Sequence, residues 1–119
     1  MKRWWPKCGV GMLLLPALFL TGATSVSDQS MIESVRNVYG DRAALRTSAW
    51  RELIAQGKRE NWNEQRKLTE VNRFFNRLTF IADSLLWRMN DYWASPLEFL
   101  GAGGGDCEDY SIAKYFSLL

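Results

Sequence analysis

From Asp28 onward the apolar positions recur at intervals of three and four, and no stretch alternates apolar and polar residues at a period of two. That spacing gathers apolar side chains on one side of a helix, so it predicts a string of short amphipathic helices. The first is predicted to open at Ser30, with Glu33 completing a capping box, to carry Met31, Val35, Val38 and Tyr39 on one face, and to stop at Gly40. A second begins with Asp41 as N-cap and sets Leu45, Ala49, Trp50, Leu53 and Ile54 on its apolar side. Gly57 stands where a left-handed C-terminal residue belongs, and Lys58 to Asn61 make a polar connection. A third helix, from about Asn61 to Leu78, places Leu68, Val71, Phe75 and Leu78 inward and turns Glu64, Arg66, Lys67, Glu70 and Arg73 to solvent.

The segment LTFIADSLLWRMNDYW, residues 78–93, admits two readings. Phe80, Ile81, Leu85, Leu86, Met89 and Trp93 fit one helical face, and such an aromatic stripe is expected in the core; alternatively, Thr79 to Ile81 begin an extended piece. Next, Ser95-Pro96-Leu97-Glu98 combines a capping serine, proline at the first helical position and glutamate at the third. It predicts a short helix to about Leu100, broken at Gly101. Gly103-Gly104-Gly105 follows as a side-chain-free loop that another backbone or a substrate can approach closely. Asp106 then reads as the N-cap of a last helix, with Cys107 and Glu108 in its first turn, Asp109 at the third position, and Ile112, Ala113, Phe116 and Leu119 facing inward.

At 119 residues, 47% hydrophobic and with six tryptophans, the chain is one domain at most and holds enough apolar material for a core. Its net charge of +2 is misleading, because three of the fifteen basic residues, Lys2, Arg3 and Lys7, crowd the amino terminus. All thirteen acidic residues lie from Asp28 onward, so the remainder carries a balance of −1 and offers no basic surface for nucleic acid. The basic cluster precedes an apolar run, Gly9 to Leu20, and then small residues, which is the order of a secretory signal. Residues 1–27 are therefore expected to be a signal peptide or a membrane anchor, since no charge interrupts Cys8 to Ser27, and residues 28–119 the exported part.

Export changes the meaning of the cysteines. Cys8 lies within the leader, so Cys107 is left without an intramolecular partner in an oxidising compartment, either buried and inert or kept for chemistry. At a helix start the unpaired amides and the helix dipole favour a thiolate by about 1 kcal/mol and can bind a developing oxyanion. Asp106, Glu108 and Asp109 oppose this, and two nearby carboxylates suffice to cancel it. A divalent cation among them would remove the conflict, because carboxylates around a tight turn are hard oxygen ligands of the kind Ca²⁺ takes. Capping alone also accounts for Asp106 and Asp109.

The run from Asn72 to Leu118, above all DYWASPLEFLGAGGGDCEDYSIAKYF, resembles the LapG-type transglutaminase-like cysteine proteases, a bacterial periplasmic family within the papain-like and transglutaminase-like superfamily. The G-D-C-E-D core with W-x-S-P-x-E-x-L upstream is the specific part, and residues 28–71 match less distinctively. The resemblance implies an α+β papain-like/transglutaminase-like fold, of which this chain covers mainly the helical amino-terminal part with the nucleophile helix. It implies a Ca²⁺-dependent endoprotease that cleaves a large surface adhesin after paired alanines near its retention module, promoting biofilm release. An inner-membrane cyclic di-GMP receptor would hold it in check. By the same resemblance Cys107 is the nucleophile, Asp106 and Glu108 are calcium ligands, and Asp109 is a further candidate ligand.

The family's triad also needs a histidine and an aspartate or asparagine on strands after the nucleophile helix, and this sequence contains no histidine. The sequence is accordingly expected to be a truncated gene product, inactive by itself, with the apolar face of Ile112, Phe116 and Leu119 left unpartnered. Two other readings stand beside it: a binding module that occupies a receptor or substrate without turnover, and an acyltransferase of the same superfamily.

Overall fold

The computed structural model describes residues 25–119. The signal or anchor segment and Cys8 fall outside the described residues, except for the last residues before Asp28. The element order is α1 (Val26–Tyr39), α2 (Asp41–Arg59), α3 (Glu64–Phe75), β1 (Thr79–Phe80), α4 (Asp83–Leu86), α5 (Pro96–Ala102), β2 (Gly104–Gly105) and α6 (Cys107–Leu118). Among the described residues, no helix is long and apolar enough to cross a membrane.

Local capping chemistry sets most boundaries. Helix α1 starts a turn earlier than Ser30, because the Ser25 hydroxyl accepts the Asp28 N–H at 3.1 Å, while Ser30 turns its own hydroxyl back onto the Ser27 carbonyl. Gly40 ends α1 as expected. In α2 the expected face is rotated: Ala43, Ala44, Thr47 and Trp50 are buried, whereas Leu45 and Ala49 are exposed. Gly57 does not end the helix; it lies buried within α2 against the Trp62 indole, and the turn after the helix falls on Asn61, at φ 49°. Asn63, not Asn61, caps α3, accepting the Arg66 N–H at 2.8 Å.

The expected helical stripe over 78–93 does not form. Thr79–Phe80 is extended, and the segment holds only the single turn of α4. Phe80 is 62% exposed and Leu85, Met89 and Trp93 are also exposed, so these side chains are not the core. The extended alternative holds because β1 has a partner that no local pattern reveals: it pairs in parallel with β2, Thr79 against Gly104 and Phe80 against Gly105. A side chain on Gly104 would collide with the Thr79 carbonyl, so the bare backbone there is a condition of the pairing.

The core gathers where α2, α3, α5 and α6 meet. Phe75 stacks on Phe99 with ring centroids 5.8 Å apart, Phe99 meets Tyr110 edge-on at 4.8 Å, and Trp50, Val71, Leu100 and Ala113 close around them. Two long-range bonds orient α6: the Tyr110 hydroxyl donates to the Leu78 carbonyl at 2.6 Å and the Trp50 indole N–H to Ser117 Oγ at 2.7 Å. The capping box predicted at Ser95 and Glu98 is present in α5, but that helix ends at left-handed Gly103 (φ 79°), with Gly101 buried inside it against the Tyr39 ring. Arg46 satisfies the last carbonyls of α5, donating to Leu100 and Gly101 at 2.6 and 2.8 Å. On α6 Ala113 is buried and Ile112 half-buried as expected, but Phe116 and Leu119 are exposed; they line a cavity of about 430 Å³ with Trp50, Leu53, Ile54 and Leu97.

Two outcomes follow. Phe99→Ala removes the ring between Phe75 and Tyr110 and should cost about 3–5 kcal/mol in urea unfolding, while Phe80→Ala should change stability by no more than about 0.5 kcal/mol. Asp28, which bonds Arg51 at 2.7 Å between α1 and α2, titrates below its ordinary value: burial raises it, and the hydrogen bond and charge of Arg51, with the Ser25 bonds, outweigh that. A depressed folded value stabilises the protein above the unfolded one, so the stability gap between wild type and Asp28→Asn should be present at pH 7 and shrink below about pH 4, read from urea midpoints across pH.

Candidate functional site: a thiol beside a carboxylate basin

β2 delivers the chain directly into the start of α6. Asp106 is the N-cap, in extended conformation, and Cys107 is the first helical residue. The cysteine is exposed and makes no disulfide. It thus stands at the amide end of a 12-residue helix, where the dipole and unpaired N–H groups present positive potential to solvent. The Ser111 hydroxyl bonds the Cys107 carbonyl at 2.9 Å, within the first turns of the same helix.

Asp109 fixes this helix start. It is fully buried, and its Oδ2 accepts the Asp106 N–H at 3.2 Å while its Oδ1 accepts the Ala94 N–H at 2.8 Å. One carboxylate therefore caps α6 and ties it to the loop before α5. A Cβ at Gly105 would run into the Asp109 carboxylate, which makes that glycine part of the same arrangement. Burial raises the Asp109 carboxyl above its ordinary range; the two N–H bonds lower it, and the charges of Asp83 and Glu108 raise it further.

The three acidic residues flagged in the sequence do not form one group. Asp106 and Asp109 come together with Asp83, and Glu108 comes together with Asp83 and Asp91, each set offering oxygens within 4.8 Å of one another. Asp83, the member of both sets, was hidden by its position in the segment read as a helical stripe. It is only 3% exposed; its Oδ2 accepts the Tyr92 N–H at 2.5 Å, and its Oδ1 is buried without a partner. Asp106 Oδ1 is likewise buried and unpartnered. Glu108 titrates above its ordinary value: a bond from its own backbone N–H lowers it, but the bond shared with Asp106, burial, and the charges of Asp106 and Asp83 raise it by more.

A hard divalent cation fits this basin. Oxygens about 2.3–2.6 Å from one Ca²⁺ ion lie at most roughly 5 Å apart, and the observed sets fall within that limit. Two orphaned buried carboxylate oxygens, Asp83 Oδ1 and Asp106 Oδ1, are the kind of group that a cation satisfies and that is costly to leave bare.

An exposed thiol thus opens a helix beside a partly buried carboxylate basin, carried on a helical layer. No protein-family model matches the chain, and no curated protein does. Solved structures do. Legionella pneumophila LapG is 36% identical over 81% of this chain and 51% of its own, with a TM-score of 0.62. Calcium-bound Legionella pneumophila LapG is 38% identical, covering 75% of this chain and 48% of its own at a TM-score of 0.61. The EGTA-treated form is 36% identical, with coverages of 81% and 50% and a TM-score of 0.62. The chain belongs to the LapG-type family of transglutaminase-like proteases, and it spans about half the length of these relatives.

Asp109→Ala leaves the Ala94 and Asp106 N–H groups without acceptors. It should cost about 2 kcal/mol or more in chemical unfolding, and Asp109→Asn, which keeps a carbonyl acceptor, should cost less.

Proposed function

We propose that this chain supplies the nucleophile and the cation basin of a calcium-dependent cysteine endopeptidase that works in the periplasm. The observation that carries the reading is the position of Cys107, exposed at the first turn of α6 between Asp106 and Glu108, each of which belongs to a carboxylate group centred on Asp83. In such an enzyme the Cys107 sulfur attacks the scissile carbonyl, forming an S–C bond as the C–N bond breaks. The thiol proton passes through an imidazole to the leaving amine, and water then releases the acyl group. The helix-start amides of α6 would bind the oxyanion.

The imidazole has to come from beyond these residues, since the 119 residues contain no histidine. Asp83, Asp106, Glu108 and Asp91 are the residues that would hold calcium, with Asp109 as anchor of the helix start; bound there, the ion would offset the negative charge facing the thiol. Calcium-bound and EGTA-treated structures of a relative support that choice of ion. The family resemblance supports a large surface adhesin as substrate, cut after paired alanines with release of biofilm as the outcome, and an inner-membrane cyclic di-GMP receptor as partner. The absence of histidine favours a second reading for the 119 residues taken alone, a module that occupies receptor or substrate without turnover.

Incubated with an adhesin-derived substrate and calcium, the 119-residue chain should give no product, while the same residues extended through a histidine-bearing sheet should cleave it. Cys107→Ala in the extended form should abolish cleavage, and Asp106→Asn with Glu108→Gln should abolish its response to chelator. Cleavage by the Cys107→Ala form would remove Cys107 as nucleophile.

A further inference from the structure

Two exposed aromatic residues border the helix start that carries the thiol, and they come from separate stretches of chain. Phe80, 62% exposed, lies on β1 in register with Gly105, and the next N–H, that of Ile81, bonds the Gly105 carbonyl at 2.8 Å. Phe80 therefore stands beside the backbone that runs two residues further into Cys107. Trp93, 69% exposed, lies between Asp91, whose carboxylate is within 4.8 Å of that of Glu108, and Ala94, whose N–H bonds Asp109 at 2.8 Å. The stretch from Asp91 to Ala94 thus runs alongside the first turn of α6. A single exposed apolar residue is ordinary on a protein surface. These two are distinguished by being held: strand pairing fixes the backbone at Phe80, and Trp93 gives its indole N–H to Asp91 at 3.1 Å while the N–H groups of Tyr92 and Ala94 on either side of it are bonded by Asp83 and Asp109.

We propose that Phe80 and Trp93 form an apolar clamp for the polypeptide substrate, taking up side chains next to the carbonyl that Cys107 attacks. This rests on the reading of Cys107 as the nucleophile, and it names what the site selects: an extended segment with apolar side chains around the scissile bond. With its N–H spent on Asp91, the Trp93 indole offers a partner only carbon surface, and Phe80 has no polar side-chain atom. Aromatic rings bring a large apolar area to a contact, and rings already held in place lose little freedom when the contact forms. An extended segment turns successive side chains to opposite sides, so two rings that border one thiol can be met by side chains of a single segment. Neither ring contributes to the core, which leaves both free for this use.

The test is the rate at which Cys107 is alkylated in the 119-residue chain, read from the mass of its peptide, with iodoacetamide and with the chloromethyl ketones of Leu-Leu-Ala and Gly-Gly-Ala. In each case an S–C bond forms as halide leaves and the thiol proton passes to solvent, so no histidine is required. The leucine ketone should react at least about tenfold faster than the glycine ketone in wild type. Phe80→Ser combined with Trp93→Ser should bring that ratio to about one without changing the iodoacetamide rate, whereas Trp93→Phe, which keeps a ring, should retain most of it. The variants should melt with wild type, as expected of exposed side chains. In the extended, histidine-bearing form the double variant should lose at least about tenfold in kcat/KM, chiefly through KM. A wild-type ratio near one overturns the proposal, as does an unchanged ratio in the double variant or an equal loss of its iodoacetamide rate. If Cys107 takes iodoacetamide but does not distinguish the two ketones, the nucleophile stands and the clamp falls; if Cys107 resists iodoacetamide, both fall.

Discussion

The buried carboxylate of Asp109 holds the site together. It accepts one N–H from Asp106, the N-cap of α6, and another from Ala94, so the hydrogen-bonding requirement of a buried group fixes the helix start that carries the thiol. Burying a carboxylate without such partners is costly, and these two amides are what makes its burial tolerable. Gly105 must then lack a side chain, and Gly104 must lack one for the adjoining strand pair. A short run of glycines that reads as a flexible loop in the sequence is in fact rigidly specified.

Magnitudes show why the basin calls for a counter-charge. Two like charges 4.8 Å apart, the limit within which Asp83 and Asp109 lie, repel by roughly 3 kcal/mol at an effective dielectric of about 20. The helix dipole contributes only about 0.3–1 kcal/mol in the opposite sense. Without a cation the carboxylates outweigh the dipole, and both Asp109, chiefly through burial, and Glu108 titrate above their ordinary values. A divalent cation would offset that repulsion with a charge that does not depend on pH near neutrality.

What the sequence disclosed was mainly local. Capping signals of three or four residues, Ser95 with Glu98 and Asp106 with Asp109, placed the starts of α5 and α6 and with them Cys107. Gly40 marked the end of α1 for the same reason. Features that depend on distant partners were illegible. The strand at Thr79 exists because Gly104 and Gly105 lie beside it, and Gly57 stays helical because Trp62 packs on it. The largest omission at the site, Asp83, had no local signature: its spacing fitted an amphipathic helix, and only folding brings it to Asp106 and Glu108. Periodicity also mistook exposed aromatic residues for core, because Phe80 and Trp93 satisfy a helical wheel that the backbone never forms.

The two halves of the basin come from separate stretches of chain, Asp83 with Asp91 on one side and Asp106 with Glu108 and Asp109 on the other. An ion coordinated by both stretches would act as a reversible staple across the intervening segment, α5 included. Chain topology, and not just local charge, would then depend on it: emptying the site opens a closed loop and restores its conformational entropy. With no second cysteine among the described residues, ion coordination would supply the closure that secreted domains elsewhere obtain from disulfides.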